Sequence, residues 1–219
     1  MRRPCRAESV ESIRTLGVVA VVRLDAVAQL GPVVDALAAG DVRAIEVTMT
    51  MPAALEGLTT LAATRDERSL VGAGSVLDAE TARLAILAGA RFIVAPVFRA
   101  DVVEMCHRYD VVAMPGAYTP TEILTAWEAG ADLIKVFPAS ALGPGYLKDL
   151  KGPMPQLRLV PTGGVTVENA GAFVAAGASA LGVGGALVAR EAIARGDFAR
   201  LTEYARRLTA AVRAARERA

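Results

Sequence analysis

Short runs of β-branched and other apolar residues alternate along this chain with longer, alanine-rich stretches. The apolar runs are 17–23, 43–48, 70–73, 92–95, 111–114, 132–137, 157–160 and 180–183, and their starts lie 19 to 27 residues apart. Each gap has room for one helix and two short loops, the size of a βα unit. In the intervening stretches apolar positions recur at helical spacing, which predicts helices over about 26–39, 52–64, 78–89, 100–109, 120–129, 144–150, 166–176 and 186–215. A further helix is expected from Glu8 to about Leu16. Gly40, Gly89, Gly130 and Gly177 each follow a helical run, as left-handed C-caps do. Pro32, Pro52 and Pro120 lie near helix starts, where a missing N–H costs little.

Eight such units on one chain predict an α/β fold, a (β/α)8 TIM barrel with an extra N-terminal helix. The competing architecture is an open, doubly wound sheet. No linker or low-complexity segment divides the chain, so residues 1–219 are expected to form one domain.

Composition narrows the function. The chain is 53% apolar and 21% charged, which suits a large buried core and not disorder. Its net charge of +1 gives no reason to expect nucleic acid as a partner. No apolar run approaches the ~20 residues of a membrane span, and the start of the chain lacks the apolar stretch of a signal peptide. Two cysteines, Cys5 and Cys106, fit a reducing cytoplasm better than a secreted disulfide scaffold. With those two thiols and a single histidine, His107, a zinc site is disfavoured, as is a serine triad built on any other residue.

Active sites of such barrels gather at the C-terminal ends of the strands. Those ends carry Arg23; Glu46, Thr48 and Thr50; the run Gly72–Ser75; Ala95 and Pro96; Pro115 and Gly116; Lys135; the run Pro161–Gly164; and the run Gly182–Gly185. Lys135 is the most informative. Only three of the 24 basic residues are lysines, and the other two, Lys148 and Lys151, lie in polar surroundings. Lys135 interrupts the apolar run Leu133–Phe137, and strand alternation puts it on the opposite side from Ile134 and Val136. If those two face the helices, Lys135 points inward, where burial favours the neutral amine that attacks carbonyls. The alternatives are a lysine reaching the rim, or one held in a structural ion pair. The same alternation turns Glu46 inward, as an acid/base group or as a salt-bridge partner of Lys135 or Arg23. Arg23 suits a substrate carboxylate if inward, and solvent if not. The glycine pairs Gly163–Gly164 and Gly184–Gly185 suit a phosphate held by backbone N–H groups, although glycine also serves tight turns. His107 and Cys106 read as helix residues away from the site, Trp127 as core or subunit contact, and the basic stretch Arg206–Arg218 as a solvated face.

The runs Ile45–Thr48, Val71–Ser75, Ile134–Pro138, Val160–Gly164 and Gly182–Ala186, with Pro115–Gly116, are similar to motifs of the class I 2-keto-3-deoxy-6-phosphogluconate (KDPG) and 4-hydroxy-2-oxoglutarate (KHG) aldolases. The resemblance runs over about residues 9–210. It implies a lyase that needs neither metal nor cofactor and cleaves KDPG, and also KHG, to pyruvate and an aldehyde. It further implies a cytoplasmic homotrimer. By resemblance Lys135 forms the Schiff base and Glu46 acts as acid/base through a water. Ser75 stands where the family usually has threonine at the pyruvate carboxylate. Thr162 and Pro96 are substrate contacts, and Gly163, Gly164, Gly184 and Gly185 are phosphate contacts. Two departures stand out. Thr50 occupies a substrate-binding position where some members have arginine, leaving Arg23 to supply charge. Gly185 stands where members often have serine, which removes a hydroxyl donor. The rival readings are a sugar-phosphate isomerase or synthase without a Schiff base, and a non-catalytic oligomeric scaffold.

Overall fold

The structure, a computed structural model, describes residues 4–64 and 69–218. The polar start read at residues 1–3 lies outside them. The strands are β1 (Val18–Val22), β2 (Ala44–Thr48), β3 (Leu70–Gly74), β4 (Phe92–Val94), β5 (Val112–Met114), β6 (Gly116–Ala117), β7 (Ile134–Val136), β8 (Leu159–Pro161) and β9 (Leu181–Val183). The helices are α1 (Arg6–Leu16), α2 (Leu30–Ala39), α3 (Ala54–Thr64), α4 (Ala79–Leu87), α5 (Ala100–Arg108), α6 (Pro120–Glu128), α7 (Gly143–Lys151), α8 (Val167–Ala175), α9 (Arg190–Ala194) and α10 (Phe198–Arg216).

All the strand pairs are parallel, so the α/β expectation holds. The expected single closed ladder is not what the pairing gives. One sheet has six strands in the order β5-β4-β3-β2-β1-β9, and a second has three in the order β6-β7-β8. Pro115 separates β5 from β6. Proline has no N–H to donate, and the chain changes neighbours there, β5 pairing with β4 and β6 with β7. At the other junction β8 and β9 meet only through the bridges Leu159–Ala178 and Thr162–Gly182.

Strand alternation sorts the core into two layers. Val18, Ala20, Val22, Ile45, Val47, Ile134 and Val136 belong to the larger cluster, packed between strands and helices. Val19, Ala44, Leu70, Phe92, Val112, Leu133 and Val160 form a second cluster on the other face, joined by Val10 and Ile13 of α1. The N-terminal helix therefore packs against the inner strand face. Its apolar residues Val10, Ile13 and Leu16 recur every third position, and Glu8 accepts a hydrogen bond from the N–H of Cys5 at 2.8 Å to start it.

The expected helix over 186–215 is two helices. The turn at Gly196, in the left-handed region (φ 70°), breaks it, and Asp197 caps α10 by accepting from the N–H of Arg200. On α10 the buried residues Leu201, Ala205, Leu208, Val212 and Ala215 alternate four and three apart and face α8 and α2. Gly40 is not the left-handed cap expected of it (φ −100°). It is glycine because α10 passes so close that an added Cβ would lie 2.4 Å from Cβ of Ala205. None of the helices among the described residues is long and apolar enough to cross a membrane.

Candidate active site

β2 and β7 each carry one charged residue on the inner face. Glu46 lies opposite Val21 of β1 and Gly72 of β3, and Lys135 opposite Gly116 of β6 and Val160 of β8. The two are 2% and 6% exposed, and Lys135 Nζ lies 4.0 Å from Oε1 of Glu46. That distance is too long for a hydrogen bond. It leaves a point within about 2.9 Å of both atoms, where a substrate oxygen can sit. Oε1 of Glu46 has no hydrogen-bond partner among the described residues. Burial pushes the Glu46 carboxyl above its ordinary range, opposed by the charge of Lys135 and, less, of Arg23. A carboxyl so placed holds its proton more readily at neutral pH and can give it up to a reacting oxygen. The ring of Phe137, third on the same alternation, lies 4.9 Å from Lys135 Nζ.

Glycine makes room for these groups. A Cβ on Gly74 would lie 1.9 Å from Oε1 of Glu46, and one on Gly182 would lie 2.2 Å from Oγ1 of Thr162. Thr162 is buried just beyond β8, its hydroxyl donating to the carbonyl of Val160 at 3.3 Å. Thr50 is exposed beyond β2 and donates to Oγ1 of Thr48, itself fully buried, at 3.2 Å. Ser75 follows β3 in the left-handed region (φ 59°), a conformation costly for a residue with a Cβ and recurrent at functional sites. Pro96 is half-buried beyond β4, and its carbonyl comes so near Gly116 that a Cβ there would meet it at 2.2 Å.

The glycine pairs follow neighbouring strand ends, joined by the Thr162–Gly182 bridge, but line different surfaces. Gly184 and Gly185 line a cleft of about 540 Å³ together with Val21, Arg23, Arg190 and Arg200. Gly163 and Gly164 instead lie against the segment after β7, where a Cβ on Gly164 would meet Ser140 at 2.7 Å and one on Gly163 would approach Phe137 and Ala139. Arg23 is exposed at the end of β1. Sequence reasoning missed Arg190 and Arg200, which it placed within one uninterrupted helix. The break at Gly196–Asp197 was the signal available. It also gave no role to Gly74, although that residue sits in the run Gly72–Ser75 it singled out.

His107 lies away from this end. Its Nε2 is 3.7 Å from Asp132, which precedes β7 and accepts a hydrogen bond from the N–H of Ala113. Cys106 is buried and its thiol pushed up to about 12 by burial and the nearby Asp132 charge. Trp127 packs against the core with the guanidinium of Arg158 over its ring.

The family model for KDPG and KHG aldolases matches residues 10–204. The 2-dehydro-3-deoxy-phosphogluconate aldolase of Treponema pallidum is 38% identical, over 88% of this chain and 91% of that one. The KHG/KDPG aldolase of Escherichia coli is 34% identical, over 90% and 93%. A solved KDPG aldolase from Legionella pneumophila, with pyruvate captured as a covalent carbinolamine, superposes with a TM-score of 0.85. It is 27% identical, over 91% of this chain and 97% of that one. Matches of this extent, over a chain that brings one lysine and one glutamate together on an inner strand face, make it a member of the KDPG and KHG aldolase family.

Proposed function

We propose that this chain is a class I aldolase that cleaves KDPG to pyruvate and glyceraldehyde 3-phosphate, and KHG to pyruvate and glyoxylate. The observation that carries the reading is the 4.0 Å approach of a buried amine and a buried carboxyl, Lys135 and Glu46, between which one proton can be shared. The amine of Lys135 attacks the C2 carbonyl, and the resulting carbinolamine loses water to an iminium. Glu46 supplies the proton that leaves with that water. Its carboxylate then takes the proton of the C4 hydroxyl as the C3–C4 bond breaks. The aldehyde departs, the bonding pair passes into the enamine, and protonation at C3 followed by hydrolysis releases pyruvate and free Lys135. The iminium is the electron sink, so no step calls for a metal or cofactor.

Arg23 offers its guanidinium to the substrate carboxylate, and the hydroxyls of Ser75, Thr50 and Thr162 with the Pro96 backbone are the further substrate contacts in this reading. Gly184 and Gly185, and at the neighbouring strand end Gly163 and Gly164, present backbone N–H groups to a phosphate. We read the two ladders as one eight-unit barrel in a single domain, supported by the Thr162–Gly182 bridge and the continuous chain through Pro115. Self-association is supported by exposed apolar residues on and around α4, Leu77, Leu84, Leu87 and Val97, each more than half exposed; the number three rests on the family resemblance. Free thiols at Cys5 and Cys106 suit a cytoplasmic enzyme.

Borohydride reduction with pyruvate, followed by peptide mapping, tests the function. The expected result is a three-carbon adduct on Lys135 and its loss in Lys135→Ala. Labelling at Lys148 or Lys151, or no labelling of the folded protein, refutes the reading.

A further inference from the structure

The cleft beside Gly184 and Gly185 holds more positive charge than backbone N–H groups alone would give it. Arg23 enters from the end of β1, Arg190 from the first residue of α9, and Arg200 from the first turn of α10. Arg200 has no ion-pair partner among the described residues, and the carboxylate nearest Arg190, that of Asp25, is 3.9 Å away with both side chains more than two-thirds exposed. Glu191 also lines the cleft; with Arg23 assigned to the substrate carboxylate, Arg190 and Arg200 still leave an excess of one positive charge. Gly185 adds space: a Cβ there would meet nothing within 4 Å. A fixed hydroxyl at that position would reach an anion directly. With glycine in its place the cleft is wider, and long guanidinium side chains span it.

Building on the aldolase reading, we infer that Arg190 and Arg200 bind the distal oxyanion of the aldehyde half of the substrate and set the preference for an anionic over a neutral aldehyde. A guanidinium forks onto two oxygens of a phosphate or a carboxylate equally well. The selected chemistry is therefore a terminal oxyanion at the far end of the keto acid. Lys135 and Glu46 do not line this cleft, which meets them through Val21, the β1 partner of Glu46.

The test compares kcat/KM for three keto acids of the same chain length: KDPG, its dephosphorylated form, and the form ending in a carboxylate. The variants are Arg190→Ala, Arg200→Ala, both lysine exchanges, and Arg195→Ala as an exposed control outside the cleft. Each alanine exchange is expected to lower the ratio of anionic to neutral substrate by roughly 10- to 100-fold, the range for a lost hydrogen bond to a charged group. The lysine exchanges should restore part of it, and Arg195→Ala should leave it unchanged. If phosphate and carboxylate substrates fall together, the cleft reads charge; if only the phosphate substrate falls, it reads phosphate. Both outcomes support the inference. A ratio within twofold of wild type in both alanine variants overturns it. Pyruvate trapping at Lys135 is run in parallel on every variant to report a folded site. Absence of trapping in the wild type would count against the aldolase reading, whereas trapping with unchanged ratios would count against the arginines alone.

Discussion

Replacing Gly74 with alanine tests the proposed role of Glu46 without touching either charged residue. Gly74 ends β3, with Thr48 opposite it and the Glu46 carboxylate against its Cα. Its backbone is outside the left-handed region, so alanine fits the chain there and only the collision matters. The new Cβ would lie 1.9 Å from Oε1 and 2.5 Å from Cδ and Cγ of Glu46. Heavy atoms settle at about 3.5 Å, so the carboxylate must retreat by on the order of 1.5 Å. Overfilling a packed interior costs about 1–3 kcal/mol. A domain of ordinary stability, about 5–15 kcal/mol, survives that. A catalytic group misplaced by 1 Å can cost about 10²-fold in rate. Gly74→Ala is therefore expected to fold, to be trapped with pyruvate at Lys135, and to release pyruvate from KDPG about 10²-fold more slowly. Denaturant midpoints and a coupled assay of pyruvate release measure both effects. A kcat within threefold of wild type, in a variant whose midpoint has shifted as expected, would mean that catalysis does not depend on where this carboxylate sits.

Other outcomes follow from the same geometry. Glu46→Gln should slow cleavage by ~10²-fold or more, the range for a lost acid/base group, while adduct formation stays measurable; near-normal turnover would leave Glu46 a structural role. The Glu46 pKa is raised in the fold, so its stabilising contribution is complete below the unfolded pKa and is lost as pH rises through the folded value. Urea midpoints between pH 4 and 9 should accordingly fall more in wild type than in Glu46→Gln, and parallel curves would contradict the burial argument. Cys106, with its thiol pushed up to about 12, should resist thiol reagents at pH 8 in the native state while half-buried Cys5 reacts, giving one labelled thiol before unfolding and two after. Three 22.7 kDa chains should scatter light as a 68.1 kDa particle, and Leu84→Asp on the apolar face of α4 should shift that mass downward.

Most of the fold was legible because its signals are local. Each expected strand is present to within a few residues, since a β-branched run bounded by helix caps has little alternative. Period-two alternation put Lys135 on the face opposite Ile134 and Val136, and the two core layers, with those residues in the outer one, show that face to be the inner one. The failures concern long-range neighbours. No local signal says that the strand pairing changes partners at Pro115, because that depends on which strands arrive on each side. Gly40 has the sequence context of a helix cap yet answers to α10, some 160 residues later. The split of the last helix was readable in Gly196–Asp197 but was outweighed by the apolar pattern around it. Arg190 and Arg200 went unnoticed because an arginine on a helix looks solvated until the fold shows what it leans over.

The glycines of the inner face explain how a site can exist inside a packed sheet. Side chains on such a face normally meet and fill it, as Val19, Leu70, Phe92, Leu133 and Val160 do at the end near α1. At the other end the strands set a buried polar side chain against a glycine: Glu46 lies against Gly74, and Thr162 against Gly182. Each polar side chain occupies the volume its neighbour gives up, so the two positions form a pair. An alanine at either glycine and a truncation of its partner should therefore offset each other in stability but not in rate, because the first restores packing and only the original side chain restores chemistry. A double-mutant cycle on Gly182→Ala and Thr162→Ala measures this directly. A coupling free energy near zero in the denaturant midpoints would mean that the two sites adapt independently, and that the glycine serves only the strand.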